Sequence, residues 1–211
     1  MLLYKTIKAE TVVEQTIERS KFIGHIKPVE NRDEAETFFN EIRRKHRNAT
    51  HNVPAMVLGD KFQTQWASDD GEPQGTSGTP MMQMLINEGI TNVAVIVTRY
   101  FGGIKLGTGG LVRAYTSTAK MALESAGICG VETMKVFTVK VNYSDHAKII
   151  NLIPEWGGEV LNEDFTDKVT LTLKTKPEET DNVKKSVINF TGNQCEFGNE
   201  EERLEKTDLT K

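Results

Sequence analysis

Arg99-Tyr100-Phe101-Gly102-Gly103-Ile104-Lys105-Leu106-Gly107-Thr108-Gly109-Gly110-Leu111-Val112-Arg113-Ala114-Tyr115 is the stretch on which the reading of this chain turns. Just before it, Val93 to Val97 is an uninterrupted aliphatic run, the pattern of a strand covered on both faces. A buried strand is therefore expected to pass through a glycine-rich loop into a helix. Gly102, Gly103, Gly107, Gly109 and Gly110 leave main-chain N–H groups uncovered, and glycine tolerates positive φ, so the loop can curl its donors around an oxygen anion. The helix that follows adds four unpaired N–H groups at its first turn. Arg99, Lys105 and Arg113 supply cationic side chains around the same loop, which suits a phosphate or an acidic partner better than an apolar ligand. The competing reading is that the glycines only permit close packing of strand against helix.

Length and composition limit what the rest can mean. A chain of 211 residues is long enough for two compact domains. With 37% hydrophobic and 27% charged residues it has the balance of a globular protein rather than a disordered one, and no apolar run is long enough to span a bilayer. Lys5, Lys8 and Glu10 interrupt the apolar start before a secretory signal could form, so the expected location is cytoplasmic. Cys129 and Cys195 stand in no metal or redox spacing and are expected to be reduced, partly buried residues. A formal net charge of −4 excludes coating of nucleic acid through bulk charge, so any RNA contact must come from a local basic patch.

In chain order, Tyr4 to Gln15 and Ser20 to Val29 read as a hairpin about Glu18-Arg19. A helix follows, capped by Asn31 with Glu34 placed to answer it, and its apolar stripe is Ala35, Phe38, Phe39 and Ile42. It ends in Arg43-Arg44-Lys45-His46-Arg47, a basic turn that the negative end of a helix dipole favours. Pro54 to Leu58 and Phe62 to Ala67 form a second hairpin around Gly59-Asp60, with Phe62, Thr64 and Trp66 on one face. Ser68 to Gly78 is a turn-rich acidic segment running into Thr79-Pro80, a cap with proline at the first helical position. Met81, Met82, Leu85 and Ile86 face inward from that helix, which Gly89 stops. The helix after the central loop packs through Leu111, Tyr115, Ala119, Ala122, Leu123 and Ala126 and closes at Gly127.

A second unit is expected near Met134, after a connection from Gly127 to Thr133. Val136 to Tyr143, Asp145 to Pro154, Gly158 to Phe165, Lys168 to Lys174, Glu178 to Phe190 and Cys195 to Leu204 read as strand, helix, strand, strand, helix, strand, the order of the ferredoxin-like split β-α-β motif. The fold class is α+β in two domains, residues 1–130 and 134–206, with a tail beyond Glu205 that should fray.

Ser68-Asp69-Asp70-Gly71-Glu72-Pro73, Gly75-Thr76-Ser77-Gly78-Thr79-Pro80, Thr50-His51-Asn52 and the whole Arg99 to Tyr115 run closely resemble the YigZ and IMPACT family. The resemblance covers most of the first domain, and the second half looks like the smaller C-terminal domain of the bacterial members. It implies a first domain similar to domain IV of translational GTPases, which is ribosomal-protein-S5-domain-2-like, and a ferredoxin-like second domain similar to domain V. Eukaryotic relatives restrain a translation-regulating kinase by competing for its activator, whereas bacterial members are proposed to bind nucleic acid or ribosomes. Two departures stand out: Val53 replaces the cysteine expected after His-Asn, and Ser77 replaces a usual alanine. The N-terminal module that the eukaryotic regulators use besides this domain has no counterpart in this sequence.

Two functional classes follow. The first is a translation-associated binding protein that engages RNA, the ribosome or a translation-regulatory protein through Arg99, Gly102, Gly103, Lys105, Gly107, Gly109, Gly110 and Arg113, with no catalytic residue, cofactor or metal. The alternative is a hydrolase of phosphate esters or peptides. There His51, Asp69, Asp70 and Glu72 would supply acid–base groups or hold a hard metal ion.

Overall fold

Residues 2–209 are described by a computed structural model, in which the chain divides into two compact units built mainly from Leu3–Val131 and Glu132–Glu205. Both are mixed α and β. Among the described residues no helix is long and apolar enough to cross a membrane.

The first unit holds strands β1 (Leu2–Ile7), β2 (Thr11–Ile17), β3 (Ser20–Pro28), β4 (His51–Leu58), β5 (Thr64–Ala67) and β6 (Val93–Tyr100), with helices α1 (Arg32–Lys45), α2 (Gly78–Asn87) and α3 (Gly107–Ala126). Its main sheet runs β2-β3-β6-β4-β5, antiparallel throughout, with β6 at the centre. The aliphatic run Val93 to Val97 is fully buried because helices cover both faces of this sheet. On one face, α2 and α3 pack Met81, Leu85, Leu111, Tyr115 and Ala119 against Phe22, Val53, Val95 and Val97. On the other, α1 packs Ala35, Phe38, Phe39 and Ile42 against Met56, Leu58, Ala94 and Ile96. Alternation along β6 divides its side chains between the two cores.

Local signals set several boundaries. Glu18 and Arg19 both take positive φ in the two-residue turn that joins Ile17 to Ser20, as a tight hairpin requires. Asn31 accepts from the Glu34 N–H at 2.9 Å while the Glu34 carboxylate accepts from the Asn31 side-chain amide at 2.8 Å and from the Glu30 N–H at 3.0 Å.

The second unit is built on β7 (Ile128–Val141), α4 (Tyr143–Leu152), β8 (Gly158–Phe165), β9 (Val169–Thr175), α5 (Thr180–Phe190) and β10 (Glu196–Thr207), with a short 3₁₀ turn at Pro154–Trp156. Within it the strand order is β10-β7-β9-β8. Cross-strand pairs Phe137 with Leu173, Val139 with Leu171 and Val141 with Val169 line one face. Ile149, Ile153, Val183 and Val187 from the helices close over that face.

Four local expectations change. Tyr4 to Gln15 is two strands broken at Lys8-Ala9-Glu10, of which only β2 enters the hairpin with β3, while Lys5 of β1 makes an isolated bridge to Ile90 and accepts from the Thr91 N–H at 3.0 Å. The cap of α2 is Ser77 rather than Thr79, which moves Pro80 to the third helical position. Gly127 to Thr133 is no loose connection: from Ile128 onward it is the start of the long strand β7, where Cys129, Gly130 and Val131 are buried in succession. The tail is paired at least to Asp208, since the Lys206 Nζ donates to Ile7 O and Lys8 O at 2.9 and 3.1 Å and Lys8 pairs with Asp208. Thr210 and Lys211 lie outside the described residues.

Candidate functional site

Strand β6 places Arg99 opposite Phe22 on one neighbour and His51 on the other. An arginine so deep in a sheet must find its counter-charge inside the protein, and it does. Arg99 is 5% exposed, and its Nη1 donates to Glu72 Oε1 at 2.6 Å. The same carboxylate oxygen accepts from the Tyr115 hydroxyl at 2.7 Å, and Ser20 Oγ stands 3.4 Å from Arg99 Nη2. Phe22 and Phe101 flank the guanidinium with ring centres 5.5 and 5.3 Å away. Burial, followed by the Glu72 charge and hydrogen bond, pushes the Tyr115 phenol far above its ordinary value, so it stays a neutral donor. Arg99, expected as a free cation for an anion, is instead the neutralised centre of a buried network.

The acidic segment is consumed in the same way. Asp69 accepts from the N–H groups of Gly75, Ser77 and Gly78 at 2.7, 3.1 and 2.9 Å and from Ser77 Oγ at 2.7 Å. Burial opposes its charge, but these four bonds outweigh that effect and hold the carboxyl below its usual range. Asp69 thereby caps α2 in place of the Ser77 side chain, which makes no capping bond. Asp70 accepts from the Asn52 N–H at 2.6 Å, and Asp70 O lies 2.8 Å from His51 Nδ1. With Nδ1 donating to a carbonyl, His51 turns Nε2 toward Glu72 Oε2, 3.8 Å away. His51 and Glu72 meet, whereas both aspartates are spent on main-chain N–H groups. Among the described residues no three His, Cys, Asp or Glu side chains are grouped to hold a metal ion.

The loop itself is shorter than expected. It spans Phe101 to Leu106, and Gly107, Gly109 and Gly110 belong to the first turn of α3. The glycines divide between the two readings given for them. A Cβ on Gly102 would stand 1.9 Å from Arg19 O, and one on Gly110 would stand 3.0 Å from Leu106 Cβ, so those two permit close approach. Gly103 and Gly107 hold φ of 87° and 70° and open onto free space. Gly109 has helical geometry with nothing within 4 Å of a Cβ.

Two clefts flank this loop. One, of about 450 Å³, is lined by Thr50, His51, Glu72, Arg99, Phe101 and the α3 start at Gly107-Thr108. The other, of about 420 Å³, brings Lys105 and Arg113 together with Gly110, Ser117 and Glu18. Lys105 borders both clefts and Arg113 only the second. Both are exposed, and neither makes an ion pair among the described residues. In the sequence Tyr115 stands out only as a packing residue. Its signal was chemical, because a buried tyrosine in a stripe of alanines needs a partner for its hydroxyl.

Residues 18–123 match the Impact N-terminal domain, and residues 139–194 match a domain of unknown function, DUF1949. IMPACT family member YvyE of Bacillus subtilis is 41% identical over 152 residues, covering 72% of this chain and 70% of that protein. The chain belongs to the IMPACT family. Another member, YigZ of Escherichia coli, is 36% identical over 165 residues, covering 77% of this chain and 80% of its own length. Protein IMPACT-B of Xenopus tropicalis shares 33% identity over 97 residues, 44% of this chain and 30% of that protein, so the eukaryotic likeness is confined to a portion of each. A crystal structure described as that of a hypothetical protein covers 92% of this chain and 95% of its own, with a TM-score of 0.60 and 29% identity. Arg99, Glu72, Tyr115 and the α3 glycines all fall within the matched Impact N-terminal domain.

Proposed function

We propose that this IMPACT family member is a cytoplasmic, translation-associated binding protein that engages RNA on the ribosome through Lys105, Arg113 and the bare backbone of Gly103, Gly107 and Gly109. The observation that carries this reading is that Lys105 and Arg113 line one cleft beside the α3 N-terminus while neither is neutralised by an ion pair. Unpaired cations next to free helix N–H groups form a surface for phosphate oxygens. The strand order β10-β7-β9-β8 supports a ferredoxin-like reading of the second unit, and the translational GTPase domain IV resemblance of the first accords with a ribosomal partner. The hydrolase alternative is less favoured, because Asp69 and Asp70 spend their carboxylates on main-chain N–H groups and Glu72, beside His51, is held by Arg99 and Tyr115.

The test is co-sedimentation with ribosomes across a salt series. Each phosphate contact contributes roughly 0.7 to the logarithmic salt slope on single-stranded RNA, so Lys105→Ala and Arg113→Ala should each flatten it by about that amount. Binding that is absent at low salt, or that both variants retain unchanged, removes the proposal. Arg99 is unsuitable for this test because its loss breaks a buried pair.

A further inference from the structure

Helix α1 carries a second basic surface. Asn40, Arg43, Arg44 and Arg47 follow the spacing i, i+3, i+4, i+7, which places all four on one face of the helix and its end. Together they line a cleft of about 550 Å³ to which no other residue contributes. The opposite face buries Ala35, Phe38, Phe39 and Ile42, so the arginines are turned away from the core.

The helix dipole explains why basic residues gather at this end, but not why three share a face. Arg43 and Arg44, in the last turn of α1, and Arg47, two residues past its end at Lys45, bring three like charges together that repel one another. No ion pair among the described residues offsets that repulsion. None of the three guanidiniums makes an ion pair or side-chain hydrogen bond among the described residues, although Arg32, one helix end away, is paired with Glu36. Glu41, one turn before Arg44 and Lys45, reaches neither within ion-pair distance. The helix end is capped by main chain instead, with the His46 N–H donating to Ile42 O at 2.8 Å. In a chain of net charge −4, three unpaired arginines on one face form a local positive surface.

We propose that this α1 face grips the phosphodiester backbone of RNA, as a surface separate from the cleft of Lys105 and Arg113. Arginine rather than lysine lines it, and a guanidinium fork matches the paired oxygens of a phosphate. An acidic protein partner fits less well. Protein interfaces are anchored by buried aromatic or aliphatic side chains, and the exposed large hydrophobic residues of this chain include none from α1. The location suits a continuous strand. Helix α1 runs toward the end of the sheet where β6 finishes, since His46 Nδ1 lies 3.0 Å from the Tyr100 hydroxyl and the Asn52 side-chain amide donates to His46 O at 3.2 Å. The Phe101 to Leu106 loop leaves the sheet at that same end.

The deciding experiment titrates a short unstructured oligouridine RNA against the full chain in a salt series, using fluorescence anisotropy. Replacing Arg43, Arg44 and Arg47 together with Gln should make the logarithmic salt slope shallower by about 2, equivalent to a contribution that falls roughly fifteen-fold between 50 and 200 mM salt in the wild type. The three Lys replacements should keep most of that slope, because the charges remain. Unchanged far-ultraviolet circular dichroism and melting temperature would establish that the exposed changes leave the fold intact. Lys105→Ala with Arg113→Ala, run in parallel, should leave the α1 contribution in place, so the two surfaces stand or fall separately. Wild-type slope and affinity in the Gln variant would overturn the inference. So would loss of the slope in the Lys variant, absence of RNA binding by the wild type at 50 mM salt, or polyglutamate competing as well as RNA per unit charge.

Discussion

Arg99 and Glu72 form a buried ion pair, 2.6 Å between Nη1 and Oε1, that ties the central strand of the first sheet to the loop before α2. Their exposures of 5% and 8% leave neither charge an alternative partner in water. Removing one partner from such a pair costs about 3–5 kcal/mol, because the other charge stays buried and unpaired. Glu72→Gln and Arg99→Met should each lower the unfolding free energy by that order in urea titrations. The double variant should cost less than the sum of the two, since it leaves no orphaned charge. Additive losses would show that the pair does not act as a unit. Tyr115→Phe, which leaves the ionic bond intact, should cost about 1–3 kcal/mol.

Gly102 and Gly109 are predicted to respond to alanine with opposite signs. At Gly102 the added methyl would stand 1.9 Å from Arg19 O, a main-chain atom held in the β2–β3 turn, so the loop or the turn must move. Gly102→Ala should reduce the melting temperature and broaden the amide resonances of residues 18–20 and 101–103. Gly109→Ala meets nothing within 4 Å, and alanine favours a helix interior over glycine by about 0.5–1 kcal/mol, so this variant should melt higher. If it also weakens ribosome co-sedimentation, the bare backbone at Gly109 serves the ligand and not the fold.

His25 makes the first unit sensitive to acid. Burial, followed by the nearby His46 and Lys45, lowers its pKa to about 4, whereas in the unfolded chain it titrates near 6.5. Below pH 6.5 the unfolded chain therefore takes up a proton that the folded protein refuses until about pH 4. Stability from this group is full above the upper value and is lost as pH falls through the window, by roughly 3 kcal/mol in all. His25→Gln should flatten the dependence of unfolding free energy on pH over that range. An identical pH slope in wild type and variant would assign the acid sensitivity to other groups.

Features settled by neighbours in the chain were legible in the sequence. The reciprocal cap of Asn31 and Glu34, the turn at Glu18-Arg19 and the end of α3 at Gly127 each depend on contacts within a few residues, where side-chain type and spacing determine the geometry. The partner of Arg99 was not legible, because it lies 27 residues back along the chain and the tyrosine sharing it lies 43 residues beyond Glu72. A charged residue looks the same in sequence whether it faces water or a buried counter-charge. For that reason Arg99, Lys105 and Arg113 appeared equivalent around the loop, and only two of them are exposed.

The sequence by itself determined the two-unit mixed architecture, the burial of Val93 to Val97 and the family to which the chain belongs, since apolar periodicity and short motifs are written locally. Tertiary structure alone decided which charges are free. Asp69, Asp70, Glu72 and Arg99 all found partners that sheet pairing and loop closure brought within 3 Å, and their charges are spent on holding the fold. On the described surface, Lys105 and Arg113 beside α3, and Arg43, Arg44 and Arg47 at the end of α1, were left without one, because no acidic side chain, Glu18 in the same cleft included, reaches them within ion-pair distance.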